Sequence, residues 1–243
     1  MSERPSLLAD GLEEIGMPDG RTDDVARKMD GYIRELRLFN SAYNLVNTDE
    51  YDEIVVRHIF DSLAALPEIV KLVEGSAAAG GLDGARPVVG DIGSGGGLPG
   101  IPLAAALPDV DFVLVERMDK RCAFLENAAA VLRLANVRVL KSEAERVPPE
   151  CLDIAVFRAF RPLDAKMART LLRLVRPGGA LAAYKAKRES IAAEMAGVAD
   201  IVPAYDVVPL SVPFLTQDSC GAGGSDDARE RNLVVVRKEP ARM

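Results

Sequence analysis

The sequence predicts an α/β protein with a Rossmann-like, mostly parallel sheet, helices on both of its faces and a helical extension at the amino terminus. Three observations predict it. Apolar, β-branched runs alternate with helical segments from Arg86 onward, a glycine-rich loop follows the first of those runs, and the preceding 70 residues read as helices alone. A chain of 243 residues has room for one such domain plus an extension.

Taken in order, residues 22–38 space Val25, Met29, Ile33 and Leu36 at helical intervals, with Thr22, Asp23 and Asp24 suited to a helix start. Residues 49–66 read as one further helix, with Ile54, Ile59, Leu63 and Leu66 on a face and Pro67 just beyond the end. Gly75 to Gly84 is rich in small residues and reads as a flexible connection, which places an extension at 1–74, a linker at 75–85 and the α/β domain at 86–243. Strands are expected at 87–92, 111–116, 137–140, 152–157 and 180–185. Helices are expected at 98–107, 120–134 and 163–175, the last ended by Arg176-Pro177-Gly178-Gly179, and a further one near 189–198. The runs 205–212 and 232–237 read as a closing hairpin.

Composition excludes several classes. No basic segment leads into an apolar run at the amino terminus and no stretch nears the roughly 18 to 20 apolar residues that span a bilayer, so a cytoplasmic protein without a membrane partner is expected. Cys122, Cys151 and Cys220 lie far apart beside a single histidine, His58, and offer neither a disulfide framework nor a metal site. The formal charge of −7 argues at first against nucleic acid, but it is unevenly spread: residues 1–84 hold 17 acids and 8 Lys/Arg. From Arg158 to Arg188 nine basic residues face a single acid, Asp164, a density that serves phosphate contacts as well as it serves a solvated helix face.

The chemistry sits in DIGSGGGLPG. Its acid-x-G-x-G-x-G spacing, Asp91, Gly93, Gly95 and Gly97, lacks the third glycine of a dinucleotide fingerprint, because position 98 is Leu98. Glycines let the backbone lie against a ligand, and an acid at the strand end suits a cationic one: the ammonium and sulfonium of S-adenosyl-L-methionine. Glu116, 25 positions after Asp91 at the end of the second strand, can accept both ribose hydroxyls of an adenosyl group. Ser142-Glu143-Ala144-Glu145 after the third strand is placed to meet an adenine edge. Together these predict an S-adenosylmethionine-dependent methyltransferase. His58, on a helix with apolar neighbours, reads as a packed or hydrogen-bonding residue rather than a catalyst.

The runs NSAYNLV (40–46), VRHIFDSL (56–63), DIGSGGGLPGIPLA (91–104), DKRCAFLE (119–126), FRAF (157–160) and RPGG (176–179) resemble the bacterial small-subunit ribosomal RNA guanine-N7 methyltransferase family, formerly called glucose-inhibited division protein B. The resemblance spans about Asn40 to Val236, and its LPGIP and RHI-x-DS elements are more specific than the glycine loop. It implies a cytoplasmic enzyme acting on a guanine in a small-subunit RNA loop, with cofactor contacts at Gly93, Leu98, Ala144, Glu145 and Arg158. Three positions depart from the family pattern: Phe157 stands for a serine, Ala186 for a glycine and Asn232 for a histidine.

No catalytic acid or base is expected, because guanine N7 is a bare lone pair and alignment suffices. The RNA is expected to meet Arg161, Lys185, Lys187 and Arg188 at the rim of the pocket, or Arg117, Lys120 and Arg121 beside the ribose site. The partner is small-subunit RNA or the 30S subunit, with no metal and a monomer as the default expectation. The competing readings are a methyltransferase for another RNA, a protein or a small molecule, which needs no such charge, and an RNA-binding protein with an empty cofactor fold, which the intact loop and Glu116 oppose.

Overall fold

The strands of the carboxyl-terminal part are short apolar runs because both faces of their sheet are covered. The computed structural model describes residues 7–17, 20–80, 85–158, 163–215 and 230–240, with the side chains of 77–80 excepted. Strands β1 (Val88–Ile92), β2 (Asp111–Glu116), β3 (Val137–Lys141), β4 (Leu152–Arg158), β5 (Val175–Lys185), β6 (Asp206–Pro209) and β7 (Asn232–Arg237) form one sheet of order β3-β2-β1-β4-β5-β7-β6. Pairings among the first five are parallel, whereas β7 runs antiparallel to both β5 and β6.

One face of the sheet carries α1 (Leu7–Ile15), α2 (Thr22–Tyr43), α5 (Leu66–Gly80), α6 (Gly100–Ala106) and α7 (Asp119–Val131); the other carries α8 (Ala165–Leu174) and α9 (Arg188–Ala196). Alternation along β4 serves both layers: Ile154 and Val156 pack with the first, Ala155 and Phe157 with the second. Leu8, Leu12, Ile33 and Leu36 of the extension share a continuous core with Val89, Leu114 and Ile154 of the sheet.

Several expectations change in physical detail. The helix expected over 49–66 is α3 (Tyr51–Ile54), a π-helical stretch Val55–Phe60 and α4 (Asp61–Leu63). Its apolar face steps five residues from Ile54 to Ile59, the spacing of an i→i+5 turn. Pro67 ends nothing; it occupies the first turn of α5, where its missing N–H is harmless. The flexible linker expected from residue 75 is helical as far as Gly80, and Ser76 Oγ donates to buried Asp153 Oδ1 at 3.2 Å. Residues 176–179 do not merely stop a helix but begin β5, where a Cβ on Gly179 would sit 2.2 Å from the Asp153 carbonyl oxygen, so only glycine lets β4 approach. Helices α1 and α5 were not foreseen.

Candidate active site

The crevice of an open parallel sheet forms outside the carboxyl ends of its strands where the order reverses, here between β1 and β4. Gly93, Gly95 and Gly97 take φ of +73°, +58° and +92°, left-handed values that carry the chain from β1 round to α6. A Cβ on Gly95 would meet nothing closer than the Gly93 carbonyl oxygen at 3.8 Å, so the loop presents bare backbone to the open crevice.

Asp91, 1 % exposed, braces this loop: Oδ2 accepts from Ser94 Oγ at 2.7 Å and from Gly100 N at 3.0 Å. Its Oδ1 has no hydrogen-bond partner among the described residues, and burial pushes the carboxyl up to about 6. Among the described residues that line the two cavities, Asp91 is not one, so any attraction to a cationic ligand acts from behind the loop. Glu116, 5 % exposed, closes the other side. Its Oε2 accepts from Gly95 N at 3.0 Å, and its Oε1 accepts from Arg117 N and Met118 N at 2.8 and 2.9 Å.

Two cavities meet at Gly93 and Arg121. The smaller, about 290 Å³, is bounded by Glu116, Met118, Ala144 and Glu145, the last two in a 3-10 turn (Ala144–Arg146) whose carbonyls take hydrogen bonds from Arg173 Nη2. The larger, about 1140 Å³, opens over Leu98, Phe157, Arg158, Tyr184 and Lys185. The amino-terminal helices supply its far wall. Asn40 Oδ1 accepts from Leu45 N and Val46 N, both at 2.9 Å, which turns the chain after α2 so that Leu45 and Asn47 reach the cavity. Tyr32, wholly buried in α2, donates its hydroxyl to the Gly96 carbonyl.

The π-helical stretch sends Arg57 and His58 into the same cavity, with Asp61 just after it. Arg158 Nη1 donates to Asp61 Oδ2 at 2.7 Å and to the Arg57 carbonyl at 3.3 Å. Arg231 Nε donates to the other oxygen, Asp61 Oδ1, at 2.6 Å. His58 Nδ1 lies 3.4 Å from Arg158 Nη2, and its Nε2 lies 3.2 Å from Asn47 Oδ1. That pattern fits a neutral ring with Nε2 protonated, and burial, reinforced by the Arg158 charge, lowers the imidazole to about 4.

The structure thus brings together Gly93, Gly95, Leu98, Glu116, Ala144, Glu145 and Arg158 around two joined cavities. Of the basic residues, Lys185 lines the larger cavity but is paired with Glu194 at 2.7 Å, while Lys187 and Arg188 are exposed where α9 begins. Arg161 lies outside the described residues. Arg117 is exposed beside Glu143, Lys120 lies 5.9 Å from the Tyr43 ring centroid, and Arg121 lines both cavities. Arg173 and Arg176 serve the fold, the latter bonded to Asp153 at 3.0 Å. The departures cluster: Phe157, Ala186 and Asn232 all line the larger cavity, and Asn232 Nδ2 donates to the Ala186 carbonyl at 2.7 Å. Asp61, Arg231 and Tyr184 were missed as site residues; the only signal for Asp61 was its place in the RHI-x-DS element.

Seven strands in this order, with the last inserted antiparallel and an open cleft at the β1–β4 reversal, make the fold a Rossmann-like α/β sheet of the kind that S-adenosyl-L-methionine-dependent methyltransferases have. The fold is shared with the YcgJ protein from Bacillus subtilis (TM-score 0.50, 17% identity, 73% of this chain and 99% of that one). It is shared as well with a Methanococcus maripaludis protein assigned to this class of methyltransferase (TM-score 0.50, 12% identity, 87% and 94%). The chain belongs to the GidB family, rRNA small subunit methyltransferase G, whose model matches residues 25–219. Among its relatives, the ribosomal RNA small subunit methyltransferase G of Treponema denticola is 35% identical over 96% of this chain and 94% of that protein. That of Treponema pallidum is 39% identical over 86% and 89%, and that of Cupriavidus pinatubonensis 35% over 96% and 93%.

Proposed function

We propose that this chain transfers the methyl group of S-adenosyl-L-methionine to N7 of a guanine in small-subunit ribosomal RNA, in the cytoplasm. The observation that carries the reading is the pair of joined cavities: one of adenosyl size at Glu116, one large and cationic at Arg158. Five cationic side chains, Arg57, Arg121, Arg158, Lys185 and Arg231, line the larger cavity, set against Asp61 and Glu194 in its wall and against Glu53 and Glu116, which pair with Arg57 and Arg121. The cations outnumber these four carboxylates by one, and with Lys187 and Arg188 exposed at the start of α9 they suit an RNA, which has a phosphate for each nucleotide.

The residues present fit the cofactor. Glu116 retains lone pairs for ribose hydroxyls beside Ala144 and Glu145, and the bare backbone of Gly93 and Gly95 accepts close approach beside Leu98. The bound group supplies an electrophilic methyl on a sulfonium. The protein need only orient the guanine and exclude water, because N7 carries no proton to be removed. Neutral His58 adds no charge against the cationic product, and Lys187 and Arg188 hold phosphates at the rim. No side chain acts as general acid or base.

The test is methyl transfer from labelled S-adenosylmethionine to isolated 30S subunits and to naked small-subunit RNA, followed by borohydride and aniline treatment, which cleaves the chain at N7-methylguanine. Label at one cleavable guanine supports the reading; label at a position that resists cleavage refutes N7.

A further inference from the structure

The larger cavity contains one buried carboxylate whose two oxygens are both claimed by guanidinium groups from distant parts of the chain. Asp61, 7 % exposed, takes Arg158 Nη1 on Oδ2 at 2.7 Å and Arg231 Nε on Oδ1 at 2.6 Å. These residues are the first of α4, the last of β4 and the one just before β7, so their meeting is a product of the whole fold. All three line the cavity. A lone surface ion pair would mean little, but a carboxylate this buried, with both oxygens bonded, holds its partners in fixed orientations.

We propose that Asp61 is a positioning residue that aims Arg158 at the target base, a role that rests on the RNA reading above. Among the described residues, Arg158 spends its two Nη1 hydrogens on Asp61 and the Arg57 carbonyl and one Nη2 hydrogen on His58. A guanidinium has five N–H donors, so Nε–H and one Nη2–H have no partner among the described residues and can meet a ligand. Arg158 ends β4, next to the glycine loop after β1, which puts those donors near the transferable methyl rather than on the rim where phosphates pass. One of them serves the cofactor contact that the family resemblance implies for Arg158; the acceptor that fits the other is the O6 oxygen of guanine, the atom beside N7 on the same edge. Binding O6 leaves the N7 lone pair open and sets which edge of the ring faces the methyl donor. Asp61 touches neither the base nor the cofactor in this arrangement; it acts through Arg158, with Arg231 closing its second oxygen.

The test is a double-mutant cycle on RNA methylation. Asp61→Asn keeps the shape and loses the charge; kcat/KM should fall by roughly 10- to 100-fold, the loss typical of a hydrogen bond between charged groups. On an Arg158→Ala background the same change should cost less than about twofold, because the residue it aims is gone. Losses that multiply, or an Asp61→Asn protein with unchanged kcat/KM, overturn the proposal. Should Asp61→Asn fail to fold, nitrogen-15 arginine spectra of the wild-type protein decide. Separate Nη signals for Arg158, the mark of a guanidinium that cannot rotate, support the clamp, and a single averaged signal overturns it. A wild-type protein that methylates no small-subunit RNA would refute the function proposed above, while the same spectra would still judge the clamp.

Discussion

At the scale of single residues, the site is held by carboxylates that already serve the backbone. Glu116 bonds Gly95, Arg117 and Met118 through their N–H groups, so the binding role proposed for it is inseparable from its role in shaping the loop. Glu116→Ala is expected to weaken cofactor binding in calorimetry by about 1.5 to 3 kcal/mol and to lower the melting temperature as well, since three N–H groups lose a charged acceptor. An unchanged dissociation constant would move the ribose elsewhere. Gly95→Val should abolish binding, because the side chain would project into the crevice from a left-handed backbone. His58 gives a pH test. The folded ring stays neutral down to about 4, whereas its ordinary value is 6.5. Between these values the unfolded chain holds the extra proton, so His58 costs stability progressively as pH falls from 6.5 to about 4. Asp91 works in the opposite sense. Raised to about 6 from 3.8, it keeps in the fold a proton the unfolded chain has released, so its contribution grows as pH falls through that window. His58→Asn removes the first effect and leaves the second, so the variant should gain stability relative to wild type as pH falls from about 6.5 to about 4. Urea midpoints across that range check it, and parallel curves would contradict it.

At the scale of elements, what was legible was what repeats. Strands β1 to β4 are short, mostly apolar runs whose observed ends lie within a residue of those expected, and the glycine loop declared itself by spacing alone. The Asp61 cluster did not, because its members lie 97 and 170 residues apart and only packing joins them. The π-helical turns were read as one regular helix, since Ile54, Ile59 and Leu63 satisfy a loose helical period either way. Small residues made 75–80 look like a linker, yet alanines are good helix formers and Ser76 is tied to β4. Helix α2 carries a consequence of its own. Tyr32 reaches from it to the Gly96 carbonyl, so the extension braces the glycine loop. Tyr32→Phe leaves that carbonyl unsatisfied in the core and should cost about 1 to 3 kcal/mol in urea unfolding. It should also weaken S-adenosylmethionine binding; a loss of stability with unaltered affinity would make the contact purely structural.

At the scale of the whole molecule, an acidic chain keeps a cationic cleft by segregating its charge. The net −7 is carried largely by the first 84 residues, while the cavity walls and the start of α9 are basic. Long-range repulsion of RNA by the acidic part is screened beyond about 10 Å at ordinary salt, whereas contacts in the cleft are not. Lys187→Ala/Arg188→Ala should therefore lower the salt slope of RNA binding by about 0.7 to 0.9 per charge removed and leave cofactor affinity alone. Identical slopes would shift the RNA to Arg117, Lys120 and Arg121 beside the ribose site. The helical extension and the sheet share one core, which is why Leu45, Asn47, Arg57 and His58 can wall the cleft opposite the strand ends. All of this converges on one claim, that the joined cavities bring a methyl donor to a ribosomal guanine. The most direct measurement is a map of modified bases along small-subunit RNA from cells with and without this protein. A single N7-methylguanine present with the protein and missing without it is the predicted result; identical maps would contradict the account.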